Sequence, residues 1–193
     1  MATDLVAANC PTLTTARLAL RPLMHADAPA LHAITGNADV MRAYVDRPSD
    51  APGWSLRQTQ EFIAQEAAVW ARGGVGRWGI EHEGRLVGYC GLTRLTYLPA
   101  PPGTLEASCR LHPDVWGQGL AAEAVTAAVT YAFEERGFSQ VALVIAEDNA
   151  RAQAAVRKQG LSLLGSYPYV SPTSGRSAVF LVWRVSAAEA RKR

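Results

Sequence analysis

The strongest constraint in this chain is a strand–helix–strand run in its second half. Gly117 to Arg136 is the longest helical pattern, rich in alanine and closed by Gly137. Leu105 to His112 reads as the strand before it. After it, Val141-Ala-Leu-Val-Ile145 is a continuous apolar run, which suits a strand covered on both faces. Two strands joined through a helix lie parallel in one sheet, and ligands bind where such strands end.

The upstream half reads as something different. Thr15 to Leu23 is a half-buried strand stopped by Pro22, and Asp27 opens a short helix that ends at Gly36-Asn37. Residues 36–54 are rich in Asp, Pro and Gly and form a long connection. A second helix starts at the N-cap Ser55 and runs to Gly73-Gly74. Arg77–His82 and Arg85–Leu95 are strands joined by Glu83-Gly84, a hairpin signal. Asn149 to Gln159 is a helix stopped by Gly160, and two further strands, near 161–167 and 177–185, flank the turn Ser171–Gly175. The expectation is an α/β (α+β) fold with a mixed, mostly antiparallel sheet of about seven strands and about four helices.

Composition narrows the class without naming a function. With 193 residues, 49% of them hydrophobic, one domain with an ordinary core is expected over 1–193, with 1–13 and 187–193 loosely ordered. Lys and Arg number 19 against 17 Asp and Glu, a balance that argues against a nucleic-acid surface. No long apolar stretch predicts a membrane span, and the start of the chain lacks the pattern of a signal peptide. Cys10, Cys90 and Cys109 form neither a C-x-x-C pair nor a disulfide framework, so a cytoplasmic location is expected. The four histidines show no ligand spacing, and no metal is expected.

The chemistry concentrates in Leu111-His-Pro-Asp-Val-Trp-Gly-Gln-Gly-Leu-Ala-Ala-Glu-Ala124. Gly117 and Gly119 bracket a helix start, where free N–H groups and the helix dipole favour phosphate. A pyrophosphate-bearing ligand follows on physical grounds. Read as G-x-G-x-x-A, the same glycines fit a dinucleotide fingerprint. That frame is poorly placed: His112 to Trp116 separate the glycines from their strand, and too little chain follows for a doubly wound sheet.

In a second frame, Trp116-Gly-Gln-Gly-Leu-Ala121 resembles the pyrophosphate loop of GNAT-superfamily N-acetyltransferases, written Q/R-x-x-G-x-G/A. The resemblance covers nearly the whole chain and is specific to the RimJ/RimL-type branch. Arg17-Leu-Ala-Leu-Arg-Pro-Leu23 looks like that branch's opening strand, and Leu86-Val-Gly-Tyr-Cys-Gly-Leu92 like its central hairpin. Trp116–Ala124 matches its W-G-K-G-Y-A-T-E-A, and Asn149 with Arg157-Lys-Gln-Gly-Leu161 its N-x-x-S…E-K-x-G-F segment.

The resemblance implies a GNAT-like sheet with acetyl-CoA, as co-substrate, lying between two splayed parallel strands. Backbone groups of Arg110, Leu111 and His112 would pair with the pantetheine arm. Trp116, Gly117, Gln118, Gly119, Leu120, Ala121 and Ala122 would form the pyrophosphate loop, and Asn149 would touch the cofactor or a water. The implied reaction moves an acetyl group directly to a primary amine, either a protein N-terminus or a small molecule. No nucleic acid or membrane partner is implied, and the enzyme would be a monomer or homodimer.

Glu106, in Glu106-Ala-Ser-Cys109 against the family's E-(I/L)-G-Y, is the expected general base; its bland reading is an exposed rim residue. The backbone N–H near Leu111 would form an oxyanion hole. The family's usual proton donors are missing, since its tyrosine position is Val156 and its serine position Ala152. A catalytically weak acyl-CoA-binding module of the same fold is therefore the alternative. Tyr44, Asp46 and Trp54 in the long connection, with Tyr167 and Tyr169 in the 167–176 turn, would roof the acceptor site, although loop acids are commonly just solvated. Cys109 could be an acyl-accepting nucleophile or a small packed residue.

Overall fold

In the computed structural model, which describes residues 9–42, 44–48, 50–159 and 161–186, one eight-stranded sheet organises the chain. The strands are β1 (Leu13–Thr14), β2 (Leu18–Arg21), β3 (Arg77–His82), β4 (Arg85–Arg94), β5 (Leu105–Leu111), β6 (Gln140–Ala146), β7 (Ser162–Val170) and β8 (Ser177–Ser186). They lie in the order β1-β2-β3-β4-β5-β6-β8-β7. Every neighbouring pair is antiparallel except β5 and β6, which are parallel.

The helices are α1 (Ala28–Thr35), α2 (Ala38–Met41), α3 (Leu56–Ala71), α4 (Leu120–Glu134) and α5 (Ala150–Lys158). The count exceeds expectation by one strand and one helix. Both additions, β1 and α2, are too short to show a hydrophobic period. α2 exists because the Asn37 side chain accepts from the N–H groups of Asp39 and Val40.

Local signals placed most boundaries. Ser55 and Gln58 form a reciprocal capping box at the start of α3. Glu83 and Gly84 both have positive φ, as a two-residue turn of type I′ requires. The helix expected from Gly117 starts later, at Leu120, because Gly117 and Gly119 have φ of 80° and 78°. That left-handed backbone cannot join a right-handed helix. The expected stop at Gly160, the tail from 187 onward and residues 1–8 lie outside the described residues.

Side chains alternate across β5. Leu105, Ala107 and Leu111 join the main core with Leu120, Ala124 and Ala128 of α4. Glu106, Ser108 and Arg110 point to the other side by the period of the strand. There α1 and α3 pack on Leu23 and Tyr89. A third cluster joins Val45 from the long connection to Leu95, Leu98 and Phe180. Among the described residues, no helix is long and apolar enough to cross a membrane.

Candidate active site

β5 and β6 pair at only three positions, Leu105↔Val141, Glu106↔Ala142 and Ala107↔Leu143. Both strands continue beyond them, β5 to Leu111 and β6 to Ala146, so the sheet opens into a V. A cavity of about 470 Å³ occupies this opening. The N–H of His112 donates to Val87 O of β4 at 2.8 Å. Strand alternation therefore turns the N–H groups of Cys109 and Leu111 towards the opening, where no strand receives them. The sequence reading expects an oxyanion donor from a backbone N–H near Leu111.

The loop before α4 closes one end of the V. Ala121 and Ala122 line the cavity, while Gly117, Gln118 and Gly119 are exposed and Leu120 is buried in the core. Arg17 braces the loop: its Nη1 donates to Gln118 O at 2.9 Å, and Nη2 pairs with Glu123 at 2.6 Å. Glu123 also accepts from Thr15 Oγ1 at 2.6 Å and from the Arg17 N–H at 2.9 Å. Partial burial acts to raise the Glu123 pKa, but these hydrogen bonds outweigh it and hold the carboxyl below its usual range.

Trp116 ties the loop to β5. Its Nε1 donates to Leu111 O at 2.9 Å, and the Arg151 guanidinium lies 3.7 Å from its ring centroid. His112 caps the short turn that follows β5, its Nδ1 accepting from the Asp114 N–H at 3.3 Å. Asn149 lines the cavity and caps α5, its Oδ1 accepting from the Ala152 N–H at 3.1 Å. Ala152 and Val156 form an apolar stretch of cavity wall, so no hydroxyl stands at either position.

Glu106 lines the same cavity and accepts a hydrogen bond from Tyr97 Oη at 3.0 Å. Desolvation raises its pKa; the Tyr97 hydrogen bond and the positive charges of Arg110 and Arg77 pull the other way without cancelling it. The Tyr97 phenol is held well above its ordinary range by burial and by Glu106, so it stays protonated. Sequence reasoning missed Tyr97. It lies in the loop after β4, and only the hairpin register Thr93↔Glu106 shows that this loop folds back over Glu106.

The long connection and the β7–β8 hairpin do meet. Asp46 Oδ1 accepts from Tyr169 Oη at 3.1 Å and from Ser171 Oγ at 2.8 Å, and Ser174 Oγ donates to Val45 O at 2.5 Å. Tyr44, Asp46 and Tyr169 line the cavity. Trp54 stacks behind Tyr44 at 5.8 Å and on Phe62 at 5.3 Å, away from the lining. Tyr167 and Tyr169 share a face and both pack against the third core cluster, but of the two it is Tyr169 that lines the cavity.

The cysteines differ. Cys90 is fully buried opposite Cys109, and its thiol is held well above its ordinary range by the Cys109 thiol and by burial. Burial, then Glu66, pushes the Cys10 thiol up to about 12. Neither is ionised near neutral pH, and thiolate is the reactive form. Cys109 itself lines the cavity.

A helix following a left-handed glycine loop, beside parallel strands that part after three pairs, defines an acetyltransferase fold. The chain belongs to the GNAT family: the acetyltransferase (GNAT) domain matches residues 17–162. It is thus an N-acetyltransferase of the acetyl-CoA-dependent class. The uncharacterized N-acetyltransferase YoaA of Bacillus subtilis is 28% identical over 177 residues, which are 89% of this chain and 96% of YoaA. Two solved structures share the fold. The Salmonella typhimurium enzyme that modifies the N-terminal serine of ribosomal protein L7/L12 has a TM-score of 0.74 at 16% identity, covering 91% of this chain and 99% of its own. Spermidine N-acetyltransferase of Vibrio cholerae, in complex with CoA and spermine, has a TM-score of 0.73 at 18% identity, covering 92% and 99%.

Proposed function

We propose that this enzyme transfers the acetyl group of acetyl-CoA directly to a primary amine, with Glu106 as general base and no acyl-enzyme intermediate. The observation that carries it is Glu106 itself, a partly desolvated carboxylate in the mouth of the V. A raised pKa makes it a better base near neutral pH than a solvated glutamate. Relatives of this fold act on an N-terminal serine and on spermidine, both primary amines.

The Leu111 N–H would serve as the oxyanion donor, its own carbonyl being fixed by Trp116. The loop Trp116–Ala122 would receive the pyrophosphate, with Arg17 holding the Gln118 carbonyl away from it. Asn149, as the cap of α5, would set the far wall of the cofactor channel. Glu106 takes the ammonium proton and passes it to solvent, and the neutral amine attacks the thioester carbon. The C–S bond breaks as the nitrogen loses its second proton to Glu106 and the amide forms. A thiol has a reference pKa near 8.5, so the thiolate can leave unprotonated and take a proton from solvent. The missing hydroxyls at Val156 and Ala152 are then no obstacle.

Acetyl-CoA titration followed by free-thiol release across peptides, polyamines, aminoglycosides and amino acids tests this. Thermal stabilisation by acetyl-CoA with turnover on at least one amine, lost in Glu106→Gln, is the expected result. Tight CoA binding with no turnover on any amine would favour a binding module and sink the transferase reading.

A further inference from the structure

We propose that Arg110 binds a carboxylate carried by the acceptor, so that the enzyme acetylates a small amine that is also an acid. This deepens the transferase reading and rests on it for the identity of the reacting end. Arg110 lies on the same strand face as Glu106 and Ser108 and lines the cavity. Its guanidinium forms no ion pair among the described residues. Nη1 donates to the Cys109 carbonyl at 3.0 Å, and the Tyr44 ring lies 5.0 Å from the guanidinium carbon. Its Nε is buried without a hydrogen-bond partner. Directly opposite in the β4–β5 register lies Tyr89, fully buried with its hydroxyl against Tyr44.

A buried guanidinium donor without an acceptor, on a side chain that lines the cavity, suits a ligand oxygen better than water alone. The other buried guanidinium in the lining, Arg77, also has an unpartnered Nε, but its charge is already met by Glu66, paired with its Nη1 at 2.6 Å. Glu106 stands four residues back on the same strand face, and the Asp46 carboxylate also lines the cavity. Negative groups and an unpaired guanidinium in one cavity complement a zwitterion, with the amine at Glu106 and the carboxylate at Arg110. A polyamine would place a cation against Arg110, and in a peptide the carboxyl next to the α-amine is tied up in an amide.

The test reads binding and turnover separately. N-acetyl amino acids, each against its own carboxamide, are titrated calorimetrically into the full chain saturated with CoA. At least one acid should bind tenfold or more tightly than its amide. The preference should vanish in Arg110→Gln and survive in part in Arg110→Lys, each titrated at saturating CoA. Thiol release is then measured with free amino acids, their amides and spermidine, and the acids should be preferred in kcat/KM. Preferential acid binding without turnover would uphold the carboxylate site while counting against the transferase reading. Equal affinity within every pair, binding of no acid, a preference retained in Arg110→Gln, or faster turnover of amides or spermidine would overturn the inference. The wild-type comparison stands even if Arg110→Gln fails to fold.

Discussion

Glu106 is where desolvation and hydrogen bonding oppose each other, and pH separates them. A carboxyl whose pKa is raised on folding holds its proton more tightly in the native state. Its stabilising contribution is therefore present at low pH and lost as pH rises through the native value. Glu106→Gln, fixed in a neutral form, should melt above wild type at pH 8 and close to it at pH 4 in thermal scans. The same substitution should lower kcat by about 10²–10⁴ while leaving acetyl-CoA affinity intact. Tyr97→Phe removes a hydrogen bond that lowers the Glu106 pKa. The acid limb of its pH–rate profile should move to higher pH, read from kcat/KM against pH. Glu106 was legible in sequence because it opens a strand beside the glycine loop. Its partner was not, because nothing in residues 95–104 announces that Tyr97 turns back nine positions. Arg110 was assigned for its backbone alone, since a guanidinium's partners depend on which strand lies opposite.

The loop before α4 depends on backbone shape more than on side chains. An alanine at Gly119 would meet little, its nearest neighbour being an Arg17 nitrogen at 3.6 Å, so the cost comes from φ. Gly119→Ala should lose about 1–2 kcal/mol by chemical denaturation and weaken acetyl-CoA binding measured by calorimetry. Gly137→Ala is the control: it has φ of 68° and open space, but follows α4 at its other end. It should show a similar stability loss with unchanged acetyl-CoA affinity. Elements with a long period or a cap, such as α3 and the 83–84 turn, could be read directly from sequence. The four-residue α2 could not, being set by the Asn37 cap and by tertiary packing of Val40. Tyr167 and Tyr169 share a face, so periodicity could not say which one reaches the cavity; strand position along β7 decided it.

Across the whole molecule, segments more than a hundred residues apart cover the acceptor side. Asp46 joins the long connection to the β7–β8 hairpin through Tyr169 and Ser171. Gly53 seats the end of that connection against Gly36, where a Cβ would come within 2.1 Å of backbone. Asp46→Ala should raise the acceptor KM several-fold, consistent with loss of about 1 kcal/mol of hydrogen bonding, while acetyl-CoA affinity holds. Steady-state kinetics with each substrate varied in turn would separate the two.

The short β5–β6 pairing also has a mechanical meaning. Within the sheet, three residue pairs are the whole seam between the half that carries β1–β5 and the half that carries β6–β8. A ligand lying in the gap would act as a stitch, supplying acceptors to the Cys109 and Leu111 amides as a missing strand would. Saturation at a hundred times Kd adds about 2.7 kcal/mol to the folded state. Hydrogen exchange should therefore slow first at those two amides and along Val144–Ala146, making the two halves unfold as one unit only once the gap is filled.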